Sequence, residues 1–141
     1  MHMLADEVVA IAPEREKFFG CSGRMLLPCP STVAAVVKEI PSGKVATLEL
    51  LRSELARRAE VEAVCPFQTK QALRAIAEQT DAVPLWRLVK RSGELLKYLP
   101  GGSARQSSLL GKEKVAVEQT ATGERVKNLK AHLVSFEVSA S

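Results

Sequence analysis

"VCPFQTKQALRAIAEQ", residues 64–79, opens on a proline turn and then places apolar side chains at Ala72, Leu73, Ile76 and Ala77. That spacing is one face of an α-helix, and Thr69 is a candidate for its N-cap. Lys70, Gln71 and Arg74 fall on the other side, so the helix carries a cationic, hydrogen-bonding surface away from its apolar stripe.

The preceding segments have the same period. In "KVATLELLRSELARRAEV" (residues 44–61) a helix is expected to start at Thr47, with Leu48, Leu51 and Leu55 along one side. "STVAAVVKEI" (residues 31–40) offers Ser31 or Thr32 as a cap and Val33, Val36, Val37 and Ile40 as a stripe, ended by Pro41 and Gly43. The link between the second and third helices is short, which is the layout of a helix-turn-helix with a somewhat long turn. Downstream, "VPLWRLVKRSGELLKYLPGG" (residues 83–102) reads as a small β-hairpin whose tip, Arg91-Ser92-Gly93-Glu94, is basic on its Lys90–Arg91 side. Three helices followed by a basic hairpin predict a winged-helix plan, in which Lys70, Gln71 and Arg74 join Lys90 and Arg91 on a nucleic-acid backbone. The fold class expected is therefore α+β, mostly helical, with a helix-turn-helix or winged-helix domain and a hairpin wing.

Composition agrees with one soluble domain. The chain has 141 residues, 46% of them hydrophobic but only 4% aromatic, so its core is built from Leu, Val, Ala and Ile. No apolar run approaches the roughly 20 residues a membrane span needs, and acidic residues at 6, 7, 14 and 16 occupy the place of a signal peptide's apolar segment. A cytoplasmic protein is expected. Cys21, Cys29 and Cys65 lack the spacing of a zinc site, and His2 and His132 lie near the ends, so reduced, mostly buried thiols and no metal or cofactor are expected. The formal charge is +4. Its distribution is uneven: between Arg87 and Lys130 ten basic residues face four acidic ones. Such an excess suits either a solvated face or a polyanionic partner.

The ends are less regular. Residues 1–30 read as an irregular N-terminal arm in which Met25–Leu27 forms a strand or a plug. "SARQSSLLGKEKV" (residues 103–115) reads as a short helix capped by Ser103 or Ser107. "RVKNLKAHLVSFEV" (residues 125–138) fits helix or strand, with alternation at Val134, Phe136 and Val138 favouring a terminal strand.

With these segments in place, residues 31–115 resemble the DNA-binding domain of the O6-alkylguanine-DNA alkyltransferases and their alkyltransferase-like relatives. "IPSGKVATLELL" is similar to the family's "IPxGKVTTYGxIA", "QTKQALRAIAE" to its recognition helix, "VPLWRLVKRSGEL" to "IPCHRVVxxxGxL" and "LPGGSARQSSLLGKEKV" to "GGxxxKxxLLxxEGV". The resemblance implies an arm (1–30), an alkyltransferase-like domain (31–115) and a C-terminal extension (116–141). In the active transferases the cysteine of "PCHRV" accepts an alkyl group from an extruded guanine, the histidine takes its proton, and a glutamate holds the histidine. Here Leu85 stands at the cysteine, Trp86 at the histidine, and the glutamate remains as Glu113. Leucine has no nucleophile and indole no base, so the resemblance implies a non-enzymatic protein; a nucleophile relocated to Cys65 or Cys29 would lack an adjacent base.

What the resemblance leaves is recognition of alkylated guanine or distorted duplex, linked to DNA repair. Thr47, Lys70, Gln71, Arg74, Lys90 and Arg91 are then the DNA-binding residues, and Leu48, Pro84, Leu85 and Trp86 the lesion pocket. The family's nucleotide-rotating tyrosine falls at Leu48, and its base-replacing arginine at Lys70 or Arg74. Arg87 is expected to make structural hydrogen bonds. The implied partner is double-stranded DNA, alkylated or not, with a repair protein as a further partner and the chain a monomer. The alternative is a winged-helix regulatory module that binds DNA or protein around a vestigial alkyl pocket.

Overall fold

Two prolines set where the principal helices begin. Pro30 and Pro66 each occupy the first helical position, where a missing N–H costs nothing and a fixed φ already suits the helix. The residues before them, Cys29 and Cys65, are held extended and become the N-caps. Ser31, Thr32 and Thr69 therefore lie inside the first turns rather than capping them, and Thr69 is buried with its hydroxyl donating 2.8 Å back to the Cys65 carbonyl.

The computed structural model describes residues 5–136. In chain order its elements are β1 (Glu7–Ala10), α1 (Glu16–Phe19), β2 (Arg24–Leu27), α2 (Pro30–Val37), β3 (Ala46–Thr47), α3 (Leu48–Ala59) and β4 (Ala63–Val64). There follow α4 (Pro66–Gln79), β5 (Leu88–Val89), α5 (Gly102–Lys112), β6 (Val117–Thr120), β7 (Gly123–Val126) and α6 (Leu129–His132). The fold is α+β with three small sheets, and among the described residues no helix is long and apolar enough to cross a membrane. The chain packs as two units. One runs to Glu39 and resumes over Glu49–Leu85; the other comprises Ile40–Leu48 and the chain from Trp86 onward.

In the first unit α2 packs against α4, with Val33, Val36, Val37, Leu73, Ala75 and Ile76 all buried. Leu51 and Leu55 of α3 are buried as their spacing predicts. The helix-turn-helix link, residues 60–65, is long because it contains β4, which pairs in parallel with β2 (Met25 with Ala63, Leu26 with Val64). On its other edge β2 pairs antiparallel with β1, from Glu7 opposite Leu27 to Ala10 opposite Arg24. Residues 1–30 are thus not an irregular arm over their described part. They supply two strands of a sheet centred on the fully buried Leu26; the strand alternative for Met25–Leu27 holds as β2, whereas its partner β4 lies almost forty residues away in sequence and no local composition names it.

The second unit has its own core of Val45, Val89, Leu95, Leu110, Val115 and Val126, with Trp86, Val117, Leu129 and Leu133 packed against it. Here the expected hairpin is rearranged. The turn forms as anticipated, Lys90 N–H to Glu94 O and Gly93 N–H to Lys90 O both at 2.8 Å, but its arms meet in a single bridge, Val89 to Leu95. β5 instead pairs in parallel with β3 (Ala46 with Leu88, Thr47 with Val89). Residues 93–95 bond to β7, Leu95 N–H to Glu124 O and Val126 N–H to Gly93 O. The regular hairpin of this unit is β6–β7, which lies almost wholly ahead of residues 125–138, the stretch whose reading was open between helix and strand; that stretch instead holds the end of β7 and the short α6. Gly93 takes φ 91 at the turn, a backbone conformation that side chains rarely adopt, and a Cβ there would also sit tightly, 3.3 Å from a Leu129 methyl.

Two further expectations change. α5 is capped by Gly101 in the left-handed region, while Ser103 donates to Glu124 (3.3 Å), so neither serine caps the helix. The expected terminal strand contracts to a bridge between Val45 and Leu133 following α6; Val134 and Phe136 are irregular, and Val138 lies outside the described residues.

Candidate nucleic-acid interface

On α4 the apolar side is spent on the core, which leaves Phe67, Lys70, Gln71 and Arg74 exposed on one helical face. Three of these four were read from the sequence; Phe67 was not. Its signal was available, a large apolar residue at a position that the period assigns to the polar side. Pro84 and Leu85 also belong to this unit, and both are buried, Leu85 with 6% exposure.

In the second unit Thr47 ends β3 opposite Val89, Leu48 opens α3 half-buried, and Lys90 and Arg91 are exposed on the turn that follows β5. Trp86 is half-buried, its ring against the unit's core. Its indole N–H donates to Glu113 Oε2 at 3.2 Å. Arg87 meets the same carboxylate with two nitrogens, Nε to Oε1 at 3.0 Å and Nη2 to Oε2 at 2.5 Å, and its Nη1 donates to the Ile40 carbonyl at 2.6 Å. The Gly43 N–H completes the shell at 3.4 Å from Oε1, and the guanidinium carbon lies 5.3 Å from the centre of the indole ring. Arg87 is therefore structural, as expected, and Glu113 clasps Trp86, Arg87 and the 40–43 turn together.

Burial alone would raise the Glu113 carboxyl, but the Arg87 and Trp86 hydrogen bonds outweigh it and hold the group below its ordinary value. The carboxylate is thus ionised and engaged by donors. Below the clasp, Gln106 on α5 is 2% exposed, and its amide N–H groups donate to the carbonyls of Trp86 (3.1 Å) and Leu88 (2.7 Å). Its Oε1 accepts from the Leu96 N–H at 2.8 Å. The sequence reading missed this residue, because a glutamine in a polar helix segment carries no local mark of burial.

The three cysteines are free thiols. Only Cys29 is buried, with Ser31 and Thr32 hydroxyls each 3.3 Å from its sulfur; Cys21 and Cys65 are half-buried, so "mostly buried" was too strong.

Fold and site together define a helix-turn-helix protein with an exposed cationic face on its second helix. The family described as 6-O-methylguanine DNA methyltransferase, DNA binding domain, matches residues 28–115, more than half of the chain, and the chain belongs to that family. Two solved structures are similar to it. One is Atl1 of S. pombe in complex with damaged DNA containing O6-carboxymethylguanine, at 30% identity and a TM-score of 0.57. The other is S. pombe ATL in complex with DNA, at 31% identity and a TM-score of 0.58. Each likeness covers 75% of this chain and 94% of the other. No curated protein matches the chain at a significant level.

Proposed function

We propose that this protein binds duplex DNA through α4 and the turn at residues 90–93, holds alkylated guanine or a distorted duplex without removing the alkyl group, and so serves DNA repair. The observation that supports the non-catalytic part is the Trp86 N–H bond to Glu113, with Leu85 and Trp86 standing where the resemblance puts the family's acceptor cysteine and its histidine. Neither group can donate an electron pair to an alkyl carbon or accept a proton at neutral pH. The DNA-binding part is supported by the family of residues 28–115 and by two similar proteins whose structures contain DNA.

In this reading Lys70, Gln71 and Arg74, with Thr47, Lys90 and Arg91, contact the backbone, and Leu48, Pro84, Leu85 and Trp86 line the lesion pocket. The packing of Trp86 against its unit's core favours the second reading, a regulatory module with a filled, vestigial pocket.

Fluorescence anisotropy on two duplexes identical except for one O6-methylguanine separates them, using wild type and Trp86→Ala. Preference for the lesion that Trp86→Ala abolishes is the expected result; equal affinity for both duplexes overturns lesion recognition and leaves the second reading. Intact mass after incubation with the alkylated duplex tests the chemistry directly. It stays unchanged, whereas a stoichiometric gain of one methyl group would assign a nucleophile among Cys21, Cys29 and Cys65.

A further inference from the structure

Phe67 is 63% exposed, and with Val8 and Phe18 it makes up the large exposed hydrophobics among the described residues. Phe18 stands edge-on to Phe19 at 5.0 Å with Arg15 5.3 Å from its ring, and Val8 lies on the edge strand β1. Phe67 is placed differently. It is the second residue of α4, and Lys70, Gln71 and Arg74 follow it at the i+3, i+4 and i+7 positions, all exposed. At 1.5 Å rise per residue the four side chains span about 10 Å along one side of the helix. An aromatic ring in water at the N-terminal end of a row that carries two cations fits a partner in which an anionic backbone borders an apolar interior. A DNA duplex has that arrangement, with phosphates flanking a stack of bases, and proteins that enter the minor groove insert Phe, Leu or Ile between base steps.

We propose that Phe67 is the apolar wedge of the α4 surface, entering the base stack while Lys70 and Arg74 engage flanking phosphates. The inference rests on the DNA-binding reading above and adds the group that distorts the duplex. A flat ring fills an opened step by stacking on both neighbours, which the ammonium of Lys70 does not do. Wedge and charge then have separable consequences: the ring governs unstacking, and the cations govern salt dependence.

The test uses a duplex with 2-aminopurine beside a single O6-methylguanine, because that base brightens when unstacked. Wild type, Phe67→Ala and Phe67→Trp are compared at saturating protein. Wild type raises the fluorescence; Phe67→Ala loses most of the rise and binds about tenfold more weakly, the scale of one lost base–aromatic stack. Its dependence on salt is unchanged, its melting temperature matches wild type, and Phe67→Trp recovers the signal. An undiminished rise with Phe67→Ala overturns the wedge while leaving DNA binding intact. A signal lost together with thermal stability and not recovered by Phe67→Trp assigns the ring to the fold and also overturns it. Failure of wild type to bind this duplex or its unmodified counterpart removes the DNA-binding reading itself.

Discussion

Glu113 accepts from Arg87, Trp86 and Gly43 while its own side chain is 12% exposed, so the clasp holds an ion pair largely out of water. Removing one partner of such a pair leaves the other poorly solvated. Glu113→Gln is expected to destabilise the fold by about 2–3 kcal/mol at neutral pH. Because the native carboxyl titrates below its ordinary value of 4.5, the stabilisation is complete above that value and is lost as pH falls through it toward the lowered native value. Urea melts from pH 7 downward should therefore show wild type converging on Glu113→Gln in acid, and a constant gap would contradict the clasp. Trp86→Phe keeps the six-membered ring but removes the N–H together with the rest of the indole, so it costs about 1 kcal/mol for the hydrogen bond in addition to lost packing. In a double-mutant cycle with Glu113→Gln the two losses should fall short of additive by about that amount; strict additivity would contradict the bond.

At the scale of elements, α5 gives the second unit two buried side chains, Leu110 in the apolar core and Gln106 beside it. Gln106 satisfies the carbonyls of Trp86 and Leu88 and the N–H of Leu96, three backbone groups near the ends of β5. Gln106→Leu preserves size but strands all three, at about 3 kcal/mol or roughly 10 °C in Tm. Calorimetry measures this, and a loss below 1 kcal/mol would show water replacing the amide. For α2 and α4 the periodicity of apolar residues was enough to place the helices, since Val33, Val36, Val37, Ala72, Leu73 and Ile76 are buried where the spacing put them. Their first residues were misplaced because a hydroxyl cap was sought where proline had already decided the start.

For the whole molecule, the net charge of +4 is small, so binding depends on where cations stand rather than how many there are. Each phosphate neutralised contributes roughly 0.9 to the slope of log Kd against log salt. Replacing Lys70 and Arg74 by alanine should lower that slope by about 2, and replacing Lys90 and Arg91 by a further 2 if both units reach the backbone. Titrations at several salt concentrations give these slopes directly. A slope unaltered by the α4 pair would place the interface elsewhere.

By itself the sequence determined what is local or inherited. The helical period placed α2, α3 and α4, the polar side of α4 exposed Lys70, Gln71 and Arg74, and four ordered motifs pointed to the family. Only the tertiary structure decided the pairings. β1 and β2 join β4, β5 leaves its neighbour in sequence for β3, and Glu113 reaches Gly43 across seventy residues. A helix satisfies its backbone within four residues, so its pattern is written along the chain. A strand edge or a buried carboxylate is satisfied only by whatever partner folding brings to it, and no local pattern of residues names that partner.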